Sequence, residues 1–258
     1  MPRSTSGLLT GLTLTFFALG TLAQPERLGA QEGDYLYRVL TVRAAPGHLL
    51  ELIDLLDEQR GVLLEAGDED FFWMRHSQGD QWDLMVLYPM GSFAEYYAPE
   101  RVRARAEGSG ASGRSGAELQ RAIDAVSAFR EELFARGPDP AAVRARYEGA
   151  GLFHVEMFVA LADRRDELLE QRRMENRYYA ALEREPNMIF VREAGAGWDL
   201  FTLGFYESLQ AFAAAGDIPA DEEDRAARAA GFEAANRIGT YLRSLMLRHN
   251  DTLAGTVR

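Results

Sequence analysis

Trp82-Asp83-Leu84 recurs in the same chain as Trp198-Asp199-Leu200, 116 positions later (198 minus 82). The sequence around one copy can be laid on the other in this register. Identical residues then coincide at Val39 and Val155, Glu51 and Glu167, Leu52 and Leu168, Gly79 and Gly195, Leu87 and Leu203, and Ser92 and Ser208. We interpret the chain as an internal duplication. Two similar units are expected to bury against each other the faces that neither could bury alone.

The elements around the first copy are predicted in one order. Runs rich in valine, leucine and aromatic residues predict strands at 35–43, 71–76 and 82–88. Apolar residues at helical spacing predict a helix from Leu49 to about residue 66, and a further short helix is predicted near Ser92. The order strand, helix, strand, strand, helix is close to the split βαβ pattern of a ferredoxin-like unit.

The second copy repeats this order. Strands are predicted at 152–161, 187–192 and 198–206, and helices begin at Asp163 and Ser208. The fold class that follows is α+β, with two tandem ferredoxin-like units.

Each unit is also predicted to carry an extra C-terminal helix, at 118–136 in the first unit and at about 221–249 in the second. The Gly/Ser-rich stretch 107–116 cannot pack a core and is expected to be mobile, either as an inert surface loop or as a lid. The predicted divisions are a signal peptide at 1–23, a tail at 24–34, the first unit at 35–136, a linker at 137–151 and the second unit at 152–258.

The amino-terminal residues have the pattern of a secretory signal. Arg3 gives a basic start, residues 8–22 are apolar apart from threonines and glycines, and residues 21–23 offer a cleavage site before Gln24. An uncleaved membrane anchor is the alternative, but a spanning helix needs about 20 apolar residues. The sequence therefore predicts a periplasmic or secreted protein.

The composition excludes several kinds of chemistry. With no cysteine in the chain, thiol nucleophiles, thiolate metal sites and disulfides are absent. All 28 basic residues are arginine, which removes Schiff-base chemistry. Without residues 1–23 the net charge becomes −13 (27 minus 40), the wrong sign for binding nucleic acid or an anionic membrane surface. Neither partner is expected, and the oligomeric state is left as monomer or homodimer.

The element order and the duplicated Trp-Asp-Leu strand resemble the dimeric α/β-barrel superfamily, which includes antibiotic-biosynthesis-monooxygenase-like and NIPSNAP-like domains. The resemblance covers nearly the whole chain after residue 23 and rests on no diagnostic catalytic motif. It implies that the sheets of the two units pack into one barrel within the chain. Because the superfamily holds cofactor-free oxygenases, haem-dependent enzymes, isomerases and proteins without known chemistry, it constrains function weakly.

Three polar residues are candidates for catalysis. In the alignment of the units Arg38 corresponds to His154, and Glu156 shares a strand face with His154. The opposite face, with Val39 and Val155, is predicted to pack under the helices, so Arg38, His154 and Glu156 are expected inside the barrel. There His154 or Glu156 would act as general base, and Arg38 would stabilise an anionic oxygen. The alternative is a structural network in which these groups pair with one another.

Further residues are candidates for binding a substrate. Trp82 and Trp198 are predicted to line an aromatic pocket, although both are also explained as paired strand-start residues. Arg75, His76 and Arg192, at strand ends, are predicted to form a rim for an anionic ligand. The clusters at 71–73, 96–97 and 178–179 are explained by a ligand pocket or by core packing.

No metal site is predicted, because no histidine pair occurs at helical metal-binding spacing. The cofactor is unknown: none is indicated, and haem through one axial histidine stays open. The function predicted from these patterns is an exported small-molecule-binding protein, with a cofactor-independent monooxygenase-like or isomerase-like activity as its enzymatic form. The alternative is a non-catalytic binding or interaction module with a filled barrel.

Overall fold

The computed structural model describes residues 32–214 and 218–257. The predicted signal peptide and the predicted cleavage point before Gln24 lie outside the described residues. Eight β-strands are present: β1 (Tyr35–Ala44), β2 (Phe72–Gln78), β3 (Leu84–Gly91), β4 (Ser127–Gly137), β5 (Leu152–Ala160), β6 (Met188–Gly195), β7 (Leu200–Tyr206) and β8 (Met246–Thr256).

Nine α-helices lie in the described ranges: α1 (Leu49–Glu65), α2 (Phe93–Tyr96), α3 (Pro99–Glu107), α4 (Gly116–Ala125), α5 (Pro140–Tyr147), α6 (Arg165–Ala181), α7 (Leu209–Ala214), α8 (Ala220–Ala230) and α9 (Ile238–Leu245). A single 3-10 turn, Ala235–Arg237, precedes α9. Across the described ranges, no helix is long and apolar enough to cross a membrane.

The eight strands close into one antiparallel barrel in the order β1-β3-β2-β8-β5-β7-β6-β4. Strand β4 pairs with β1 of its own half and with β6 of the other half. Strand β8 does the equivalent between β5 and β2. Closure leaves no free strand edge in the barrel, which is how a β-sheet avoids edge-to-edge association.

The extra C-terminal helices of the two units were predicted wrongly. Helix α4 ends at Ala125, and residues 127–137 form strand β4 instead of continuing the helix. In the second half, α9 ends at Leu245 and residues 246–256 form β8. Both segments contain good helix formers, but two neighbouring strands each offer them a full set of backbone hydrogen bonds, and tertiary pairing overrides weak local propensity.

The two predicted connecting segments are also more structured than expected. Residues 107–116 contain a tight hairpin in which Gly110 N donates to Arg114 O, and Ser112 N donates to the carboxylate of Glu58 at 2.8 Å. Whether this hairpin moves stays a prediction. The linker contains helix α5, whose Val143 is buried against the barrel core.

The repeated aspartates terminate equivalent strands. Asp83 N donates to Val42 O, and Asp83 Oδ2 accepts from Ala44 N at 2.8 Å. At residues 116 positions later, Asp199 N donates to Phe158 O and Asp199 Oδ2 accepts from Ala160 N at 2.9 Å. Each aspartate therefore fixes the start of one strand against the end of its neighbour.

We expect Asp199→Ala to lower the free energy of unfolding by about 2 kcal/mol, because a charged acceptor of a partly buried backbone amide is removed. Asp83→Ala should have a similar effect at the equivalent position. Urea unfolding of both variants, with Asp54→Ala on the exposed face of α1 as control, checks this. An equal, small change in all three variants would contradict a terminating role.

The barrel interior is filled by apolar side chains from both halves. Val39 and Val155 lie in this core with the fully buried rings of Phe72, Phe153 and Phe190. The predicted faces of β1 and β5 were therefore inverted, since the face expected beneath the helices is the one that faces the interior. Arg38, His154 and Glu156 lie on the outer face, under the helices.

Helices cover the outer face of each half. Leu52 and Leu56 of α1 pack against Leu40 of β1. In the second half, Leu168 of α6 packs against Phe158 of β5. Polar side chains such as Arg38 and Glu156 also lie between the sheet and the helices.

Two glycines hold the seams between the halves closed. Gly79, with φ +112°, approaches the backbone of Asp251 and Thr252 in β8. Gly195, with φ +96°, approaches Glu132 and Leu133 in β4 in the same way. Both have the left-handed backbone that favours glycine, and both contact a strand of the other half.

Candidate functional site

A cavity of about 440 Å³ lies between the outer face of the first half and helices α1 to α4. The second half of α1 packs on the sheet through its apolar stripe and contributes Gln59, Val62 and Leu63 to the lining of the cavity. The polar side chains that line the cavity are Arg38, Gln59, Arg105, Gln120 and Glu132. The volume is typical of pockets for small organic ligands.

Arg38 is the basic group on the sheet side of the cavity, beside Glu132 of β4. Its Nη1 donates to Glu132 Oε1 at 3.3 Å, and its guanidinium lies 4.0 Å from the centroid of the Tyr88 ring. Nε is buried and has no hydrogen-bond partner within residues 32–214 and 218–257. An unpaired buried donor is costly, so a ligand oxygen accepting from it would be stabilised.

Arg38 stays positively charged in this environment. Burial by itself disfavours the charged guanidinium, but Tyr88, Tyr96 and Glu132 outweigh burial and raise the pKa of Arg38. Burial in turn raises the pKa of Tyr88 to about 12. The wall of the cavity therefore presents a permanent cation.

Aromatic rings form the opposite wall. Tyr96 and Tyr97 both line the cavity, and their ring centroids are 5.1 Å apart in an edge-to-face arrangement. The guanidinium of Arg105 covers the Tyr96 ring at 3.6 Å. Gln59 Nε2 of α1 donates to Gln120 Oε1 of α4 at 3.0 Å. A flat, apolar ligand with one anionic oxygen would match this combination of walls.

His154 and Glu156 lie in a different place. In the barrel order, β1 and β5 are separated by three strands on each side, so Arg38 does not meet either residue. Arg38 pairs with Tyr88 and His154 with Gly204, at equivalent register positions of the two halves. The expectation of one shared catalytic site is therefore wrong, although a catalytic role for any one of the three residues stays a prediction.

His154 and Glu156 belong to a polar cluster under α6. His154 Nε2 lies 2.6 Å from Asp251 Oδ1. Burial disfavours the charged imidazole, but the hydrogen bond with Asp251 and the negative charges of Glu156, Asp251 and Glu175 together outweigh burial and raise the pKa of His154. The acid that fixes this histidine comes from β8, the strand that the sequence did not predict.

Glu156 is the most buried carboxylate of the cluster, with 7 % of its surface exposed. Its Oε2 accepts from Thr202 Oγ1 at 3.0 Å and lies 3.5 Å from Arg172 Nη1, while Oε1 lies 3.4 Å from His249 Nε2. Burial alone would raise the pKa of Glu156, but His249 and the charge of Arg172 lower it to about 2. The cluster is thus an ionised network.

The structure brings the two predicted tryptophans together. Trp82 and Trp198 line one recess of about 500 Å³ at an end of the barrel, with Glu131, Arg248 and Asn250 among its polar lining residues. Trp198 Nε1 donates to Glu131 at 2.6 Å, and Arg248 covers the Trp198 ring at 4.1 Å. Both rings also belong to the barrel core, so their packing role is evident and their binding role stays a prediction.

The predicted anion-binding rim is not assembled. Strand β2, with Arg75 and His76, is separated from β6, with Arg192, by three strands on each side of the barrel. The His76 ring packs edge-on against Trp82, and Arg192 Nη2 donates to Asp199 Oδ1 at 2.7 Å. The geometry contradicts a single rim made from the three.

Solved structures share this arrangement of strands. An anthrone oxidase-like protein matches with a TM-score of 0.53 and 14 % identity, covering 89 % of this chain and 94 % of its own. Candidate monooxygenases match with TM-scores of 0.50: one from Lactobacillus acidophilus (7 % identity, 86 % of this chain, 93 % of its own) and one from Fusobacterium nucleatum (6 %, 88 % and 94 %). The chain has the dimeric α/β-barrel fold. No protein-family model and no curated protein matches it.

Several cavity residues were not singled out from the sequence. Tyr96 and Tyr97 were noted only as an aromatic cluster, and Gln59, Gln120 and Glu132 carried no signal. Glu132 was placed in a predicted helix, where it would not lie beside Arg38. Recognising 127–137 as a strand would have put Glu132 opposite Leu40 of β1, two residues from Arg38 and on the same face.

Proposed function

We propose that the protein binds a flat, enolisable aromatic small molecule in the Arg38 cavity and acts on it as a cofactor-independent oxygenase. The observation that carries this proposal is the buried Arg38 guanidinium, with an unpaired Nε, at the wall of a cavity of about 440 Å³. The monooxygenase-like fold supports the reaction class without identifying the substrate.

The chemistry follows from the charge of Arg38. A phenol or enol whose oxygen lies beside a permanent guanidinium ionises more readily, because the cation stabilises the oxygen anion in a site of low dielectric. An electron-rich anion of this kind can itself reduce O2, so the substrate supplies the electrons and O2 accepts them. Tyr96 and Tyr97 would hold the ring system in place by stacking.

The filled barrel was predicted to accompany a non-catalytic module. The interior is filled, but the cavity lies on the helix-covered face, so the filled interior does not favour that alternative. We keep the Arg38 cavity as the ligand site and assign His154 and Glu156 no part in this reaction.

Two further parts of the proposal concern the evolutionary origin of the two halves and the export of the protein. We infer an internal duplication of a ferredoxin-like unit. In support, Val39 pairs with Leu87 in the first half, and the residues 116 positions later, Val155 and Leu203, pair in the second half. We also propose export to the periplasm or beyond, supported by the signal-like pattern of residues 1–23.

Anthrone is a suitable probe, because oxidation of its methylene to a carbonyl consumes one O2 and releases one water. We expect the protein to bind anthrone under argon and to accelerate its oxidation in air, measured by an oxygen electrode. Arg38→Gln should weaken binding by about tenfold or more, since a charge-assisted hydrogen bond is lost.

Arg130→Gln is the matched control. Arg130 Nη2 also pairs with Glu132, at 2.6 Å, but Arg130 does not line the cavity. It should leave binding within about twofold of the unchanged protein. Equal losses in both variants, or no anthrone binding at all, would refute the assignment of this cavity to such a ligand.

A further inference from the structure

Two histidines and two carboxylates meet on the outer face of the second half. The strands β5 and β8 pair so that Glu156 lies opposite Asp251 and Phe158 lies opposite His249. One ligand-type atom each from His154, Glu156 and Asp251 lies within 4.8 Å of the other two. His249 Nε2 adds a second imidazole, 3.4 Å from Glu156 Oε1.

We propose that His154, Glu156, Asp251 and His249 bind a divalent transition-metal ion, with Zn²⁺ as the representative case. Imidazole nitrogens together with carboxylate oxygens are donors that suit Zn²⁺ and similar ions. Metal–ligand distances near 2.1 Å place tetrahedral donor atoms about 3.4 Å apart. Side-chain shifts of the order of 1 Å would therefore close the cluster around an ion.

The second histidine, His249, has a ring nitrogen without a well-formed hydrogen bond to any described residue. His249 Nε2 is buried and lies 3.4 Å from Glu156 Oε1, an ion-pair contact that lacks hydrogen-bond geometry within the described part of the chain. Its ring stacks on Phe158 at 4.7 Å with an interplanar angle of 8°, which holds the imidazole in place. A buried ring nitrogen without a hydrogen bond is costly, and coordination to an ion would satisfy it.

The surrounding groups orient Glu156 as outer-shell residues do around metals. Thr202 and Arg172 engage Oε2, which leaves Oε1 on the side of His249. The ring of Phe212 lies 5.2 Å from that of His154 and limits its rotation. Partners of this kind fix ligand orientation in metal sites.

The charges and the exposure are also consistent with a cation. Glu156 and Glu175 pair with the one guanidinium of the cluster, that of Arg172, and Asp251 pairs with His154. The cluster thus holds three carboxylates and one guanidinium, an excess of acidic groups that suits a cation. The Asp251 side chain is 57 % exposed, which gives an ion access from solvent. This inference uses no residue of the Arg38 cavity and stands independently of the proposed oxygenase activity.

The test is metal binding by the full protein after treatment with EDTA. Zn²⁺ at a hundredfold excess over its Kd should raise the unfolding midpoint by about 5 °C or more, and Co²⁺ should give visible absorption bands. His154→Ala and Asp251→Asn should each weaken Zn²⁺ binding by at least about tenfold in calorimetric titration. His48→Ala is the control, because His48 forms an exposed pair with Glu51 at 2.8 Å.

The proposal fails if the unchanged protein neither binds Zn²⁺ nor gains thermal stability from it. It fails equally if Asp251→Asn and His48→Ala bind Zn²⁺ with the same affinity. Because Asp251 lies largely in solvent, its variant is expected to fold even where His154→Ala does not, and it decides the question by itself.

Discussion

Gly79→Ala is expected to lower the free energy of unfolding by about 3 kcal/mol or more. Gly79 has φ +112°, where a residue with a Cβ is strained by about 1–2 kcal/mol. The added Cβ would also overlap the carbonyl oxygen of Asp251 and lie 3.0 Å from Thr252 Cα. Because both atoms belong to the backbone of β8, the seam between β2 and β8 would have to open.

Gly47→Ala separates the two contributions. Gly47 also has a positive φ, +85°, but no atom of the described chain lies within 4 Å of the position of its Cβ. This control should lose only the conformational part, about 1–2 kcal/mol. Urea unfolding of both variants measures the difference. If they lose the same stability, the close approach at the seam has no energetic weight.

Arg172→Met is expected to cost about 3–5 kcal/mol, because removing one partner leaves buried carboxylates without compensation. The side chain of Arg172 is only 2 % exposed and pairs with both Glu156 and Glu175. Its guanidinium also lies 4.8 Å from the centroid of the Phe158 ring. The loss should show as a lower urea midpoint, with little change in the m-value, which is the slope of the unfolding free energy against urea concentration.

The neighbouring Arg173 provides the control for this substitution. Arg173 is 42 % exposed and pairs with Glu32 and Glu170 at the surface, so Arg173→Met should cost at most about 1 kcal/mol. Adding Glu156→Gln to Arg172→Met should recover part of the lost stability, since the uncompensated charge is then removed. Similar losses for Arg172→Met and Arg173→Met would show that the buried network contributes little.

Much of the central fold could be predicted from the sequence, because its signals are local. The run of valine, leucine and tyrosine in β1 and the apolar spacing in α1 predicted both elements to within a few residues. Ser92 predicted the start of α2, where its Oγ accepts from Glu95 N as an N-cap. The 116-residue register between the Trp-Asp-Leu strands is matched by equivalent strand pairings in the structure.

The fourth strand of each half could not be predicted in the same way. Residues such as Glu131, Glu132 and Leu133 favour a helix when they are judged by propensity alone. They form a strand because β1 and β6 lie on either side, and β6 belongs to the other half of the chain. Because that pairing partner lies far away in the sequence, the residues of β4 themselves give no sign that they form a strand.

The inverted faces of β1 and β5 have a related cause. Alternation predicted which residues share a face, and those groupings were right. It could not tell the interior from the helix-covered side, because both sides of these strands are buried. The apolar residues around Val155 suit either environment, whereas Glu156 is tolerated under α6 only because Arg172 and Thr202 engage it.

The candidate sites were incompletely predicted for the same reason. His249 was assigned to a helix end and Asp251 to no element, so nothing placed them beside His154 and Glu156. The sequence predicted polar residues at the right positions of β5 but not their partners on β8. Three-dimensional pairing, not residue type, makes the cluster.

Closure of the barrel within one polypeptide frees its two outer surfaces to change separately. Where two identical subunits build such a barrel, any mutation necessarily alters both surfaces at once. Here a mutation at Arg38 leaves His154 untouched, although both hold the same position in the strand order. Covalent joining thus permits one barrel to carry two unlike sets of side chains, a guanidinium beside tyrosines on one flank and a cluster of imidazoles and carboxylates on the other.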